Sequence, residues 1–280
     1  MSNQSERITP ELLRGWGLPE PGDSKKSRGR VMVVGGSTRS PGGVLLAGEA
    51  ALRVGAGRLG LVVPLPTQLP MGVAIPEAAV FALPDRATDP FTDPVRHELE
   101  SADAVLVGPG FDDADETRAT VLAVAEVGIH CLILDAYALG ILPDIDRALL
   151  PKALILNPNE EEAAILLERE PSDDRAADVA EIAARFDAVV NCYGTVAAPD
   201  GVLGEVPGGG AGLATSGSGD VLAGAIAGFA ARGVEPPRAA AWGSWSHARA
   251  GDRLTERSGL GFLARELVVE LAAALDEVAG

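Results

Sequence analysis

GGGAGLATSGSGDVLAGAIAG, running from Gly208 to Gly228, is the stretch on which the reading of this chain turns. Its first half is a glycine and hydroxyl cluster, and its second half is an alanine-rich apolar segment that reads as a helix. The junction Ser216-Gly217-Ser218-Gly219-Asp220 therefore lies at a helix N-terminus. Residues without bulky side chains let a ligand approach the backbone there, and the free N–H groups and positive dipole end of the helix favour an anion. A phosphate is the natural occupant. Asp220 stands out, because a carboxylate repels a phosphate unless it has a task. Two tasks are compatible with its position: charge at the helix start, or accepting a proton from a hydroxyl that attacks a phosphoryl group.

Outward from this turn, short apolar runs alternate with segments of helical period, the pattern of a parallel sheet covered on both faces. Arg30 to Val34 (RVMVV) reads as the first strand, followed by the turn Gly35-Gly36-Ser37 and a small-residue helix from Gly43 to Val54. Further strands are expected at Leu59 to Val63, Ala104 to Val107, Cys131 to Leu134, Ala153 to Leu156 and Ala188 to Asn191. Asp115 to Val127, Glu160 to Glu168 and Ala176 to Phe186 fit helices between them. Thr195 to Pro199 and Val202 to Val206 read as a hairpin turning on Asp200-Gly201. The chain finishes with helices at Gly219 to Ala231, Pro237 to Leu254 and Phe262 to Val278. The expected fold is thus α/β, with an N-terminal arm at residues 1–29 and one domain at 30–280. In open sheets of this kind ligands bind at the carboxyl edge, where Gly35, Gly108-Pro109-Gly110, Asp135, Asn157 and Gly194 should gather.

Composition narrows the function. The 280 residues are 47% hydrophobic and only 4% aromatic, so an ample core must be built from Ala, Val and Leu. A formal charge of −17 disfavours nucleic acid and anionic membranes as partners. Cys131 and Cys192 form no metal-ligand spacing or disulfide framework and should be reduced and buried. No run is long and apolar enough to span a bilayer and the first thirty residues carry no apolar leader core, so the cytoplasm is the expected address. His97, His130 and His247 belong to no recognisable catalytic pattern and read as surface or satisfied core residues. Small-residue helices such as Gly43 to Val54 offer a close-packing face to a second subunit, and a homo-oligomer is expected.

The motifs also have an order. Gly35-Gly36-Ser37, GVLLAGEAALRVGAGRLGLVVP, VLVGPG at Val105 to Gly110, LDA at Leu134 to Ala136 and GLATSGSGDVLAGAIAG at Gly212 to Gly228 resemble, in sequence, the NAD(P)H-hydrate dehydratases of the ribokinase-like superfamily. The resemblance spans roughly Arg30 to Leu275. It implies a ribokinase-like fold with a central, mostly parallel sheet flanked by helices. It also implies the small-molecule substrates NADHX and NADPHX, with ADP or ATP consumed and Mg2+ present. Phosphorylation turns the hydrate's hydroxyl into a leaving group, and loss of phosphate restores the nicotinamide double bond. By position, the resemblance makes Asp220 the base and Gly217, Ser218 and Gly219 the anion hole. Asn191, Cys192, Tyr193, Gly194, Thr195 and Gly219 fall at nucleotide contacts, and Gly43, Gly110, Asn159 and Asp220 at substrate contacts.

Several positions depart from the family pattern. Asn157-Pro158-Asn159-Glu160-Glu161-Glu162 stands where the family reads Thr-Pro-His-Pro-Gly-Glu, so Asn159 replaces a substrate-contacting histidine. Asn191-Cys192-Tyr193-Gly194-Thr195 stands for Lys-Gly-Ala-Gly-Thr, which removes a phosphate-facing cation; Arg39 is a positional candidate to replace it. Tyr137 replaces a common Asp and Gly210 a common Asn. Asn159 and Glu162 also resemble the Asn-x-x-Glu pair of ribokinase-like sugar and vitamin kinases, in which Glu organises magnesium through water; the same residues equally suit a capped first helical turn. A kinase of a small hydroxylated substrate is accordingly the alternative activity, and a nucleotide-binding protein without turnover a third reading, which intact Asp220 opposes.

Overall fold

A computed structural model describes residues 6–279. In chain order the elements are α1 (Pro10–Trp16), β1 (Arg30–Val34), α2 (Gly42–Arg53), β2 (Arg58–Val63), α3 (Leu65–Ala74), β3 (Ala78–Ala82), α4 (Asp93–Glu100), β4 (Ala104–Val107), α5 (Ala114–Glu126) and β5 (Cys131–Leu134). They continue with α6 (Tyr137–Gly140), β6 (Ala153–Leu156), α7 (Glu160–Leu167), α8 (Arg175–Phe186), β7 (Val189–Cys192), β8 (Thr195–Ala198), β9 (Gly201–Glu205), α9 (Ser218–Ala231), α10 (Pro236–Ser258) and α11 (Ala264–Ala279).

The strands form one nine-stranded sheet in the order β3-β2-β1-β4-β5-β6-β7-β8-β9. Pairing is parallel from β3 through β7 and antiparallel for β7–β8 and β8–β9. Strand order reverses direction between β1 and β4, which puts the two loops following those strands side by side at the carboxyl edge. The two-residue period of a strand sorts its side chains between two cores. Val31 and Val33 of β1 join the cluster under α2, α9, α10 and α11, while Met32 and Val34 join the one under α4, α5, α7 and α8.

The expected α/β architecture, a mostly parallel sheet flanked by helices, is what the chain adopts. The structure adds β3, α1, α3, α4 and α6, and moves the hairpin turn to Pro199-Asp200, with Gly201 opening β9. A second correction concerns α2. Its small residues face α9 within the same chain: a methyl at Gly224 would overlap the Ala47 carbonyl, and one at Gly228 would lie 2.7 Å from the Ala51 oxygen. Ala47 and Ala51 are fully buried, so this stripe is not available to a second subunit. Beyond β9, Ile8 donates its N–H to Glu205 O at 2.8 Å and Glu205 donates back to Glu6 O at 2.8 Å, so the arm covers the sheet's free edge. No helix among the described residues is long and apolar enough to cross a membrane.

Candidate functional site

Gly217 opens α9 with φ of 86°, a conformation glycine adopts freely, and a β-carbon there would lie 2.6 Å from Leu46 Cδ1. From this N-cap the helix is buried almost all round, with only Leu222 and the first turn less covered, which holds its N-terminus rigid. No protein acceptor takes the N–H of Gly217, Gly219 or Asp220 among the described residues. The Ser218 N–H, expected among the free donors, is instead given to Thr215 O at 3.2 Å.

Asp220 sits in the first turn of α9, and the head of α2 closes on it from the other side. A methyl at Gly43 would lie 2.9 Å from Asp220 Oδ1, so only glycine leaves room for the carboxylate. Burial pushes the Asp220 carboxyl up to about 6. No side chain caps α9, whose N-cap is the glycine; Asp220 is thus not its capping residue.

A cavity of about 620 Å³ opens in front of this turn. Its walls come from the ends of β5, β6 and β7, the Gly208–Thr215 loop, the start of α9 and one face of α10. Asp135, Glu162 and Asp220 line it, and no Arg or Lys does. Asp135 follows β5 and is held well above the usual carboxylate range, first by burial and then by the charges of Asp220 and Glu162. It accepts a hydrogen bond from Asn157 Nδ2 at 2.8 Å; Asn157 Oδ1 accepts from Asn191 Nδ2 at 2.7 Å, and Asn191 Oδ1 accepts from Ser244 Oγ at 2.5 Å. Sheet and α10 are tied together by this buried chain. Ala136, next in sequence, adopts φ of 51°, a strained value for a side chain with a β-carbon, at the cavity wall.

Asn159 and Glu162 form a reciprocal capping box at α7: Asn159 Oδ1 accepts from the Glu162 N–H and Glu162 Oε2 from the Asn159 N–H, each at 2.9 Å. Burial raises the Glu162 carboxyl, partly opposed by that N–H. The cap role is therefore satisfied while the residue also lines the cavity.

Of the positions singled out in sequence, Tyr193, Gly194, Gly217, Ser218, Gly219, Asp220, Asn159, Glu162 and Gly210 line the cavity. Asn191, Cys192 and Thr195 do not: Asn191 is fully buried within the amide chain, Cys192 faces α8, and Thr195 is buried in β8. Gly43 meets Asp220 from outside the cavity. Gly110 packs in the joined loops after β1 and β4, with Gly36 Cα 3.0 Å from where its β-carbon would be. Arg39 is exposed and paired with Asp112 at 2.8 Å rather than turned to the cavity, and Tyr137 is exposed on α6. Asp135 and Asn157 were legible as strand ends without a role. Ser244 and His247, inside a helix remote in sequence, gave no such signal.

A carboxylate on a donor-rich helix head, at the carboxyl edge of a doubly covered sheet, defines an enzyme of the ribokinase-like class. Comparison with known proteins makes this specific. A sequence profile described as NAD(P)H-hydrate dehydratase matches residues 31–272. The ADP-dependent (S)-NAD(P)H-hydrate dehydratase of Xanthomonas campestris pv. campestris is 42% identical, with 97% of this chain and 96% of that protein covered. The bifunctional NAD(P)H-hydrate repair enzyme of Escherichia coli is 33% identical over 94% of this chain, which spans 50% of that protein. The crystal structure of the Bacillus subtilis ADP/ATP-dependent NAD(P)H-hydrate dehydratase co-crystallized with ATP/Mg2+ superposes with a TM-score of 0.86 at 27% identity, covering 99% of this chain and 100% of that one. The chain belongs to the NAD(P)H-hydrate dehydratase family.

Proposed function

We propose that this chain dehydrates NADHX and NADPHX to NADH and NADPH at the expense of ADP or ATP, with Asp220 as the base. The observation that carries this reading is the position of Asp220, wedged against Gly43 on one side and beside the free N–H groups of Gly217 and Gly219 on the other. The hydrate's hydroxyl gives its proton to the Asp220 carboxylate, and its oxygen forms a bond to the terminal phosphorus as the bond to the departing nucleotide breaks. ADP thus leaves as AMP. Loss of the phosphate from carbon, with a proton from the neighbouring carbon, restores the ring double bond. A carboxyl near 6 remains mostly ionised at neutral pH while being a stronger base than an ordinary Asp. The N–H groups of Gly217, Gly219 and Asp220 hold the charge that builds on the transferring group.

The nucleotide would extend along Tyr193, Gly194 and Gly208 to Ala211, and the hydrate would lie toward Gly43 and Gly110. Cys192, Asn191 and Thr195 support that wall from behind. Three acidic residues facing a polyphosphate call for a cation, and hard carboxylate oxygens suit Mg2+. Among the described residues no cluster of three or more His, Cys, Asp or Glu is close enough to hold a metal alone. Glu162 would hold the ion through water, with phosphate oxygens as its main ligands; when bound, the ion neutralises phosphate charge. Two free, buried cysteines suit a reducing cytoplasm. A homo-oligomer would form through a face other than α2.

The test is direct: hydrated NADH with ADP or ATP and magnesium, followed by return of reduced-nicotinamide absorbance. Absence of recovery with both nucleotides, together with ATP turnover on a sugar or vitamin alcohol, would replace this reading with the kinase one.

A further inference from the structure

His247 lies within α10, buried at the cavity wall, and reaches the head of α9. Its Nε2 is 2.9 Å from the Ser218 carbonyl oxygen and 3.0 Å from Ser218 Oγ. A carbonyl oxygen can only accept, so Nε2 carries the proton and donates it there. The Ser218 hydroxyl, lying beside the same N–H, keeps its own proton free to donate. The consequence extends one atom further. The Ser218 carbonyl and the Gly219 N–H belong to one planar trans peptide unit and point in opposite directions. Whatever fixes the carbonyl also aims the Gly219 N–H, which has no protein acceptor. A hydrogen bond to the carbonyl also polarises the amide and strengthens its N–H as a donor.

A second residue of α10 braces the same loop: Asp252 accepts the Gly209 N–H at 2.9 Å. Thus α10 grips both ends of the Gly208–Gly219 segment, and His247 holds the end nearest the chemistry.

We propose that His247 is a positioning residue for phosphoryl transfer, holding the Ser218–Gly219 peptide so that the Gly219 N–H and the Ser218 hydroxyl face the transferring phosphoryl group. This rests on the functional reading above. Burial lowers the imidazole to about 4, so at neutral pH it acts as a neutral donor and does not replace the missing lysine as a cation.

The test compares His247→Leu, which removes the donor, with His247→Gln, whose amide N–H can reach the same carbonyl. With ADP and hydrated NADH, His247→Leu should lose about 10- to 100-fold in kcat, below the 10²–10³ typical of deleting an oxyanion donor outright, with nucleotide Kd changed less than about threefold. His247→Gln should recover most of the loss. A wild-type kcat in His247→Leu, an equal loss in Kd and kcat, or no advantage of Gln over Leu would overturn the proposal. Nitrogen-15 NMR of the wild-type protein adds a readout that needs no variant to fold: His247 should be a neutral Nε2–H tautomer, and the Gly219 amide should shift when a non-hydrolysable ADP analogue binds. An imidazolium, an Nδ1–H tautomer or an unmoved Gly219 amide would also overturn it. Both signals stand apart from turnover, so an inactive wild-type protein would count against the dehydratase reading and leave this one to be decided by NMR.

Discussion

Replacing Asp220 with Asn should make the protein more stable at neutral pH while abolishing its activity. The reasoning starts from the carboxyl, raised by burial from an ordinary 3.8 to about 6. Between those values the folded chain holds a proton that the unfolded chain has released, so Asp220's contribution to stability falls as pH rises through this window. Two pH units at ~1.36 kcal/mol each give an upper bound of about 3 kcal/mol. Partial solvent contact of the residue brings the expected gain to roughly 1–3 kcal/mol, or about 2–6 °C in a chain of this size. Thermal melts of both proteins across pH 3 to 8 should show the difference closing toward pH 3, below both values, where the acid is largely neutral in both states. The gap should widen to a plateau above pH 6. A less stable variant at pH 7 would mean that the carboxylate serves the helix N-terminus, where losing a cap costs about 0.5–2 kcal/mol. A gap that is flat with pH would refute the desolvation argument itself.

Three further outcomes follow from the same geometry. Because the base must be ionised, log kcat/KM should fall with unit slope below about pH 6, and a profile flat to pH 5 would remove Asp220 from the rate-limiting proton transfer. Gly43→Ala places a methyl 2.9 Å from Asp220 Oδ1, which should displace the carboxylate and cost about 10- to 100-fold in kcat with the fold intact; unaltered turnover in steady-state assays would show that the contact is not exacting. Glu162→Gln keeps the acceptor of the capping box, so its melting temperature should hold while the magnesium concentration for half-maximal rate rises several-fold. Glu162→Ala should lose about 1 kcal/mol as well, and an unchanged magnesium requirement in Glu162→Gln would assign the residue to the cap alone.

The sheet was legible because its strands are buried on both faces and read as unbroken apolar runs, as in RVMVV at Arg30 to Val34. β3 escaped for the opposite reason: AAVFA is a short edge strand, partly exposed and weak in β-formers. The helix α3 was hidden by Pro66 and Pro70, which local rules count as breakers, although Pro66 occupies the first turn where no N–H is needed. At the site, the glycine turn announced itself because backbone chemistry is written locally. Ser244 and His247 could not, since their significance depends on α10 folding back over α9.

Asn191 shows where residue-by-residue transfer from a family parts from the geometry of a strand. Aligned with a phosphate-facing lysine, it invited a nucleotide contact. Yet Val189, two residues earlier in β7, belongs to the core on the α10 side, and the alternation of a strand puts Asn191 on that same side. There its amide receives the Ser244 hydroxyl and reaches Asn157, completing a neutral chain to Asp135. A lysine has three donors and no acceptor, so it could not pass the hydrogen bond from Ser244 onward as an amide does. Asparagine at this position therefore completes the chain, and Asp135 is met by an amide rather than by a cation among the described residues. Its carboxyl is accordingly raised, by burial first and then by the neighbouring charges of Asp220 and Glu162, which the Asn157 amide opposes only in part.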